Sequence, residues 1–263
     1  MYNRISDSST GASQPYEPSQ SVNSDSFKEK LADLALQMDL PHGDLPDEMG
    51  CCASKPYASD PATPSASSPA RPSTSLFQYR TAELPQANAD NICVGLTAGW
   101  LSNLPNSPRS RMNALVPGSD GHHSAARLQE QYEELLKSSR NEGAESSDAN
   151  FKAKATVLKD GAGLEASKKG NTYTFGDPTS FSSMLHKITD DGSKYLLSLG
   201  FAERARHSVA TSASNGSTTL FDPNYGEFTV PSGEMGALFE SLANRYRNPN
   251  GLHLSTITTQ KIR

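Results

Sequence analysis

Apolar positions divide the chain into two unequal parts. Up to about residue 75 they are sparse, and Ser and Pro alternate. Nine of the 17 prolines lie in residues 1–80. Segments such as 60–75 (DPATPSASSPARPSTS) cannot bury enough apolar surface to offset chain entropy, so 1–26 and 53–75 read as disordered. One stretch interrupts this tail. Phe27, Leu31, Leu34 and Met38 recur at helical spacing, behind a Ser26/Glu29 capping box. A helix this short docks on the domain, binds a partner, or is marginal alone.

From residue 76 the texture changes. Residues 90–104 carry Cys93, Leu96, Trp100, Leu101 and Leu104 on one helical stripe behind an Asp90-Asn91 opening. A loop rich in Pro, Asn and Ser follows. Residues 124–139 form a second amphipathic helix through Leu128, Tyr132, Leu135 and Leu136. The stretch 140–172 is polar and predicts at most a short helix. Residues 177–188 read as a helix with Pro178 in its first turn. The period then shifts towards two. Strands are predicted at 194–202, 206–213, 217–224 and 226–231, with Asn-Gly and Asn-Tyr-Gly turns between them. A helix at 233–246 and a strand at 252–260 complete the pattern. Helices first and then an antiparallel sheet is an α+β arrangement.

Composition agrees with this division. The 263 residues are 35% apolar and 7% aromatic, with 24 basic and 29 acidic side chains and a net charge of −5. Those apolar fractions are low for a chain that is globular throughout, as expected where a tail dilutes an ordinary domain. Three cysteines exclude a disulfide framework. No apolar run is long enough for a transmembrane helix, and the first residues lack the apolar core of a Sec signal peptide. The acidic balance argues against a nucleic-acid partner. There is no internal repeat, phosphate-binding glycine loop or paired Cys/His spacing, so neither cofactor nor metal is expected.

Cys93 is the one cysteine inside the predicted domain. It enters a helix from a polar turn, where backbone N–H groups and the helix dipole favour a thiolate. On base rates alone, a cysteine on an apolar helix more often serves packing. A nucleophile needs a base, and the base needs an orienter. Of the six histidines, His207 begins a strand among small residues, and Asp222 ends the next one. The Asn215-Gly216 turn leaves arms of nearly equal length, with a small offset for a bulge or loop to absorb. Asp222 would fix the imidazole tautomer; before Pro223 it also reads as a simple turn former. Oxyanion donors are expected from the Cys93 amide and an upstream side-chain amide. Asn88 is preferred over Gln86, while Asn91 is equally suited to capping the helix.

Three segments carry a family resemblance: Asn88 to Trp100, His-Ser-Val-Ala at 207–210, and Phe-Asp-Pro-Asn-Tyr-Gly at 221–226. In this order and spacing they resemble the catalytic motifs of the YopT/AvrPphB cysteine proteases, with the rhizobial members nearest. The likeness spans roughly residues 45–263. It implies a papain-like fold, a helical lobe packed on a central antiparallel sheet with the active site between them. It also implies Cys93 as nucleophile, His207 as base, Asp222 as orienter and Asn88 at the oxyanion hole. Members are injected into host cells by type III secretion and cut host signalling proteins such as kinases or small GTPases.

A second signal lies at 47–54. From Met49 the sequence matches the N-myristoylation pattern, internal to the chain, and Cys51 and Cys52 follow Gly50. The pattern acts only after cleavage between Met49 and Gly50, a self-processing step the resemblance implies. Host acyltransferases would then myristoylate Gly50 and palmitoylate Cys51 and Cys52. One myristoyl chain binds membranes only marginally, at about 10⁴ M⁻¹, so stable anchoring needs the second lipid. The expected organisation is a mostly disordered secretion and pro-segment at 1–49, an acylated linker at 50–75, and a monomeric protease domain at 76–263. Glu48 departs from the family pattern. Beside the scissile bond it would impair self-cleavage if the pocket that receives it is acidic. Residues 1–49 hold three basic and nine acidic side chains, so the processed form would carry +1. That avoids strong repulsion from an anionic leaflet without attracting one. The rival readings are a deamidase or acyltransferase with the same triad, and a catalytically silent membrane-targeted binding module.

Overall fold

Period-two alternation in the second half of the domain builds one antiparallel sheet. The computed structural model describes residues 76–263, so the expectations for the tail, including the 27–38 helix and the 47–54 motif, lie outside the described residues. The sheet contains β1 (Arg80–Ala82), β2 (Asn171–Thr174), β3 (Lys194–Phe201), β4 (Arg206–Ser214), β5 (Ser217–Asp222), β6 (Gly226–Pro231) and β7 (Leu254–Ile262). Its order is β1-β6-β5-β4-β3-β7-β2. The β4–β5 hairpin turns on Asn215 (φ 54°) and Gly216 (φ 72°), the paired positive φ values of a type I′ turn. The strands predicted at 194–231 are all present. The last strand lies two residues later than expected, and β1 and β2 carry too few apolar residues to announce themselves.

Six helices accompany the sheet among the described residues: α1 (Cys93–Ser102), α2 (Pro108–Asn113), α3 (Asp120–Asn141), α4 (Ser146–Ala162), α5 (Pro178–Ile188) and α6 (Met235–Arg247). Two depart from the sequence reading. The expected loop contains α2, where the Ser107 hydroxyl accepts from the Ser110 amide and Pro108 opens the first turn. The polar 140–172 stretch contains α4, 17 residues long. Its buried stripe is Ala149, Ala153, Val157 and Leu158. Alanines fill the close-packed positions, so the period escapes a search for large side chains.

Helix α1 is buried on nearly every side. Eight of its ten residues are buried, Val94, Gly95, Thr97 and Ala98 among them, rather than a single stripe. Gly95 makes this possible, because a Cβ there would lie 1.8 Å from the Ala125 carbonyl oxygen of α3. The helix ends at Ser102, which leaves Leu104 beyond it but still packed on the core. The sheet separates two cores. Phe221, Ala210 and Leu196 face α1, α3 and α4; Val209, Leu220 and Phe228 face α5 and α6. The helices therefore cover both faces of the sheet, which the order of elements in the sequence did not predict.

One buried charge locks α1 and α2 to the sheet. Glu227 of β6 is fully buried. Its carboxylate accepts from Arg111 Nε at 2.8 Å, Arg111 Nη2 at 2.7 Å and Trp100 Nε1 at 2.8 Å. Trp100 also stacks on Phe221, ring centroids 5.3 Å apart. Removing one partner of a buried ion pair strands the other charge, at a cost of about 3–5 kcal/mol. Arg111→Met is therefore expected to lower the unfolding free energy by that amount, read from the urea denaturation midpoint and slope.

Candidate active site

Cys93 is the first residue of α1 and is buried. The expected Asn91 cap is not formed. Asn91 has φ 60°, and the cap position is Ile92, with no side-chain cap bond. The helix start is served from α3 instead, where Gln129 Oε1 accepts from the Val94 amide at 3.0 Å. Upstream, His122 of α3 holds the Ala87 carbonyl at 2.9 Å, which pins the turn that carries Asn88.

His207 lies near the start of β4 and is buried. The β4–β5 ladder runs from Ser214↔Ser217 to Ala210↔Phe221 without a break. Continued, this register sets Val209 opposite Asp222, so His207 and Asp222 are diagonal neighbours on one face. Such neighbours stand within reach of long side chains. No bulge is needed to absorb the offset seen in the sequence. His207 Nε2 donates to Asp222 Oδ1 at 2.9 Å. The other ring nitrogen, Nδ1, is buried with no hydrogen-bond partner. Cys93 and His207 line the same cavity.

Asp222 is fully buried and saturated with donors. The Asn224 amide donates to Oδ1 at 2.8 Å, a turn closed two residues on. The Tyr246 hydroxyl of α6 donates to Oδ2 at 2.8 Å. Both sequence readings of Asp222, turn former and histidine partner, therefore hold together. Burial, and then the Asp222 charge, push the Tyr246 phenol well above its ordinary range, which keeps it a donor. Asn88 is buried, and its Nδ2 donates to Asn224 Oδ1 at 2.7 Å. The structure thus brings Asn88, His207 and Asp222 into one network through Asn224, with Cys93 across the cavity. Gln86 is exposed and stays outside the network.

Sequence reasoning missed three contributors. Asn224 was visible only as part of a turn, and Gln129 and Tyr246 carry no sequence signal. The remaining histidines lie elsewhere: His186 is exposed on α5, and His253 pairs with Glu203 on the surface. Among the described residues no group of three His, Cys, Asp or Glu is placed to hold a metal ion. The nucleophilic form of Cys93 is the reduced thiolate. An imidazole held at one nitrogen by a carboxylate, its other nitrogen unpartnered, on a residue that lines the same cavity as a helix-start cysteine, has the chemistry to accept a thiol proton and return it to a leaving amine.

Such a cysteine, on a central helix against an antiparallel sheet that carries the histidine, defines a papain-like cysteine peptidase. The family model described as Peptidase_C58, Yersinia/Haemophilus virulence surface antigen, matches residues 71–262, and the chain belongs to that family. Two rhizobial proteins named YopT-like cysteine proteases are similar over the whole length of both chains. One is blr2140 of Bradyrhizobium diazoefficiens, 57% identical over 271 residues, and the other y4zC of Sinorhizobium fredii, 58% identical over 262 residues. The cysteine protease avirulence protein AvrPphB of Pseudomonas savastanoi pv. phaseolicola is 29% identical over 166 residues, which cover 62% of this chain and 61% of AvrPphB. The crystal structure of AvrPphB superposes with a TM-score of 0.65 at 26% identity, covering 72% of this chain and 100% of the AvrPphB chain.

Lys154 of α4 reaches towards the same cavity and is buried. Desolvation, reinforced by the neighbouring Arg206 charge, lowers its pKa to about 7. Between that value and the unfolded-state value near 10.4, the unfolded chain binds the extra proton, so this group adds stability as pH rises. The stability of the wild-type protein minus that of Lys154→Met is expected to increase from pH 7 to pH 9.5, by at most about 1.4 kcal/mol per pH unit. Denaturant unfolding of both proteins at the two pH values checks it.

Proposed function

We propose that this protein is a type III-secreted cysteine endopeptidase that cuts itself between Met49 and Gly50 and then cuts host signalling proteins. Its catalytic residues are Cys93, His207 and Asp222. The observation that carries the reading is the division of labour on His207, with Nε2 committed to Asp222 and Nδ1 buried without a hydrogen-bond partner, on a residue that lines the same cavity as Cys93. His207 takes the Cys93 proton at Nδ1, and the thiolate attacks the peptide carbonyl. Asn88 and the Cys93 amide hold the oxyanion. The imidazolium gives its proton to the leaving amine, and water then hydrolyses the thioester.

The avirulence name of AvrPphB and the full-length likeness to rhizobial YopT-like proteins support delivery into a host cell. In this reading 1–49 is the secretion and pro-segment, 50–75 an acylated linker, and 76–263 the protease. Cleavage exposes Gly50 for myristoylation and Cys51 and Cys52 for palmitoylation by host acyltransferases, and the two kinds of lipid hold the enzyme at the host plasma membrane.

Mass spectrometry of reduced recombinant full-length protein tests the reading. Wild-type chains are expected to convert to a species that begins at Gly50. Cys93→Ala and His207→Ala chains are expected to remain intact, with rates reduced by about a thousandfold or more. Conversion of Cys93→Ala at the wild-type rate overturns intrinsic protease activity. An inert wild-type chain that also leaves host proteins uncut favours the binding-module alternative, and transfer or deamidation without a new N-terminus favours the other.

A further inference from the structure

The side-chain amide of Asn88 can serve an oxyanion only if its nitrogen, not its oxygen, faces the developing charge. An asparagine side chain is nearly symmetrical in shape, so the hydrogen bonds around it decide which end points where. Here the decision starts at the far end of the network. The Asp222 carboxylate only accepts. The Tyr246 hydroxyl has one proton and gives it to Asp222 Oδ2 at 2.8 Å. Burial and the Asp222 charge hold that phenol in its protonated form. With its proton spent, Tyr246 offers only lone pairs to its next neighbour. Asn224 meets them with its nitrogen, and Nδ2 donates to the Tyr246 oxygen at 3.1 Å. That turns Asn224 Oδ1 towards Asn88, where it accepts from Asn88 Nδ2 at 2.7 Å. Every bond runs the same way, and a chain so aligned is reinforced link by link. Asn88 and Tyr246 are 3% and 1% exposed, so water is poorly placed to replace a missing link.

We propose that this one-way relay, from Asn88 through Asn224 and Tyr246 to Asp222, fixes the oxyanion amide, and that Asn224 is its positioning residue. The proposal rests on the protease reading and deepens it. Of the two N–H groups on Asn88 Nδ2, one is held by Asn224, which sets the plane and the sense of the amide so that the other meets the oxyanion. One carboxylate thereby orients both the base, through His207 Nε2 at 2.9 Å, and the oxyanion donor. The Asn224 backbone amide donates to Asp222 Oδ1 independently of its side chain. Truncating that side chain therefore breaks the relay and spares this bond to the carboxylate.

Self-processing of the reduced full-length chain, followed by mass spectrometry as the appearance of the species that begins at Gly50, reads the function. Asn88→Ala is expected to slow it by about a hundredfold or more, and Asn224→Ala by at least about tenfold. In a chain already lacking the Asn88 amide, Asn224→Ala is expected to change the rate by no more than about twofold, because nothing is left to position. A merely structural loss would instead multiply with the first. Asn224→Ser, too short to span Asn88 and Tyr246, takes the place of Asn224→Ala if that variant does not fold. A second measurement needs no catalysis. In isotope-labelled full-length Cys93→Ala protein, NMR is expected to show hydrogen exchange at the Asn88 side-chain amide at least about tenfold slower than at the exposed Asn113 side chain. Adding Asn224→Ala is expected to abolish that protection. Losses that multiply in the first experiment, an Asn88 amide that exchanges like Asn113, or protection that survives without the Asn224 side chain overturns the proposal. Protection that depends on Asn224, in a protein whose wild-type form never self-processes, would contradict the protease reading and leave the relay standing.

Discussion

Asp222 is wholly buried, and a buried carboxylate is tolerated only where donors surround it. Here they come from three parts of the chain: His207 on the neighbouring strand, the Asn224 amide in the following turn, and the Tyr246 hydroxyl on α6. Each donor fixes something the site needs. The His207 bond sets the imidazole tautomer and leaves Nδ1 without a hydrogen-bond partner. The Asn224 bond shapes the turn, and the Asn224 side chain in turn accepts from Asn88. The Tyr246 bond ties the carboxylate to a helix on the face of the sheet opposite α1. One charge thus coordinates the base, the upstream asparagine and the packing of the second core.

The opposite half of the site depends on close backbone approach. Helix α1 can lie in the interior because Gly95 lets it touch α3, and α3 then serves the start of α1 through Gln129 and the upstream turn through His122. Arg111, Glu227 and Trp100 hold the far end of that helix to the sheet. Cys93 is therefore carried by an element clamped at both ends. Side chains on rigid elements keep reactive geometry better than those on loops. The same packing leaves Lys154 of α4 with little water beside the reactive pair, which accounts for its lowered pKa.

Much of this was legible in the sequence, for identifiable reasons. The strands from 194 to 231 shift towards a period of two and end at Gly and Asn turns, so their pairing was readable; spacing made the His207–Asp222 juxtaposition plausible but left an offset, which the diagonal register accounts for. Cys93 stood out as the one cysteine in the predicted domain. Helix α4 escaped because its buried positions are alanines, and α2 because six residues are too few to show a period. Asn91 looked like a cap but adopts a left-handed backbone instead. Tyr246 and Gln129 act across the fold on residues 24 and 35 positions away, and nothing local marks them. The cavity beside Cys93 joins side chains from three helices and two strands, so only the folded chain displays it.

The central claim is that His207, oriented by Asp222, makes Cys93 a nucleophile. The rate of iodoacetamide alkylation of Cys93 against pH tests it most directly, with the label located by mass spectrometry in reduced protein. The account predicts that Cys93 reacts well below pH 8.5, the ordinary thiol value, and that His207→Ala moves the inflection up towards it. An inflection near 8.5 in the wild-type protein, unchanged by His207→Ala, would contradict it.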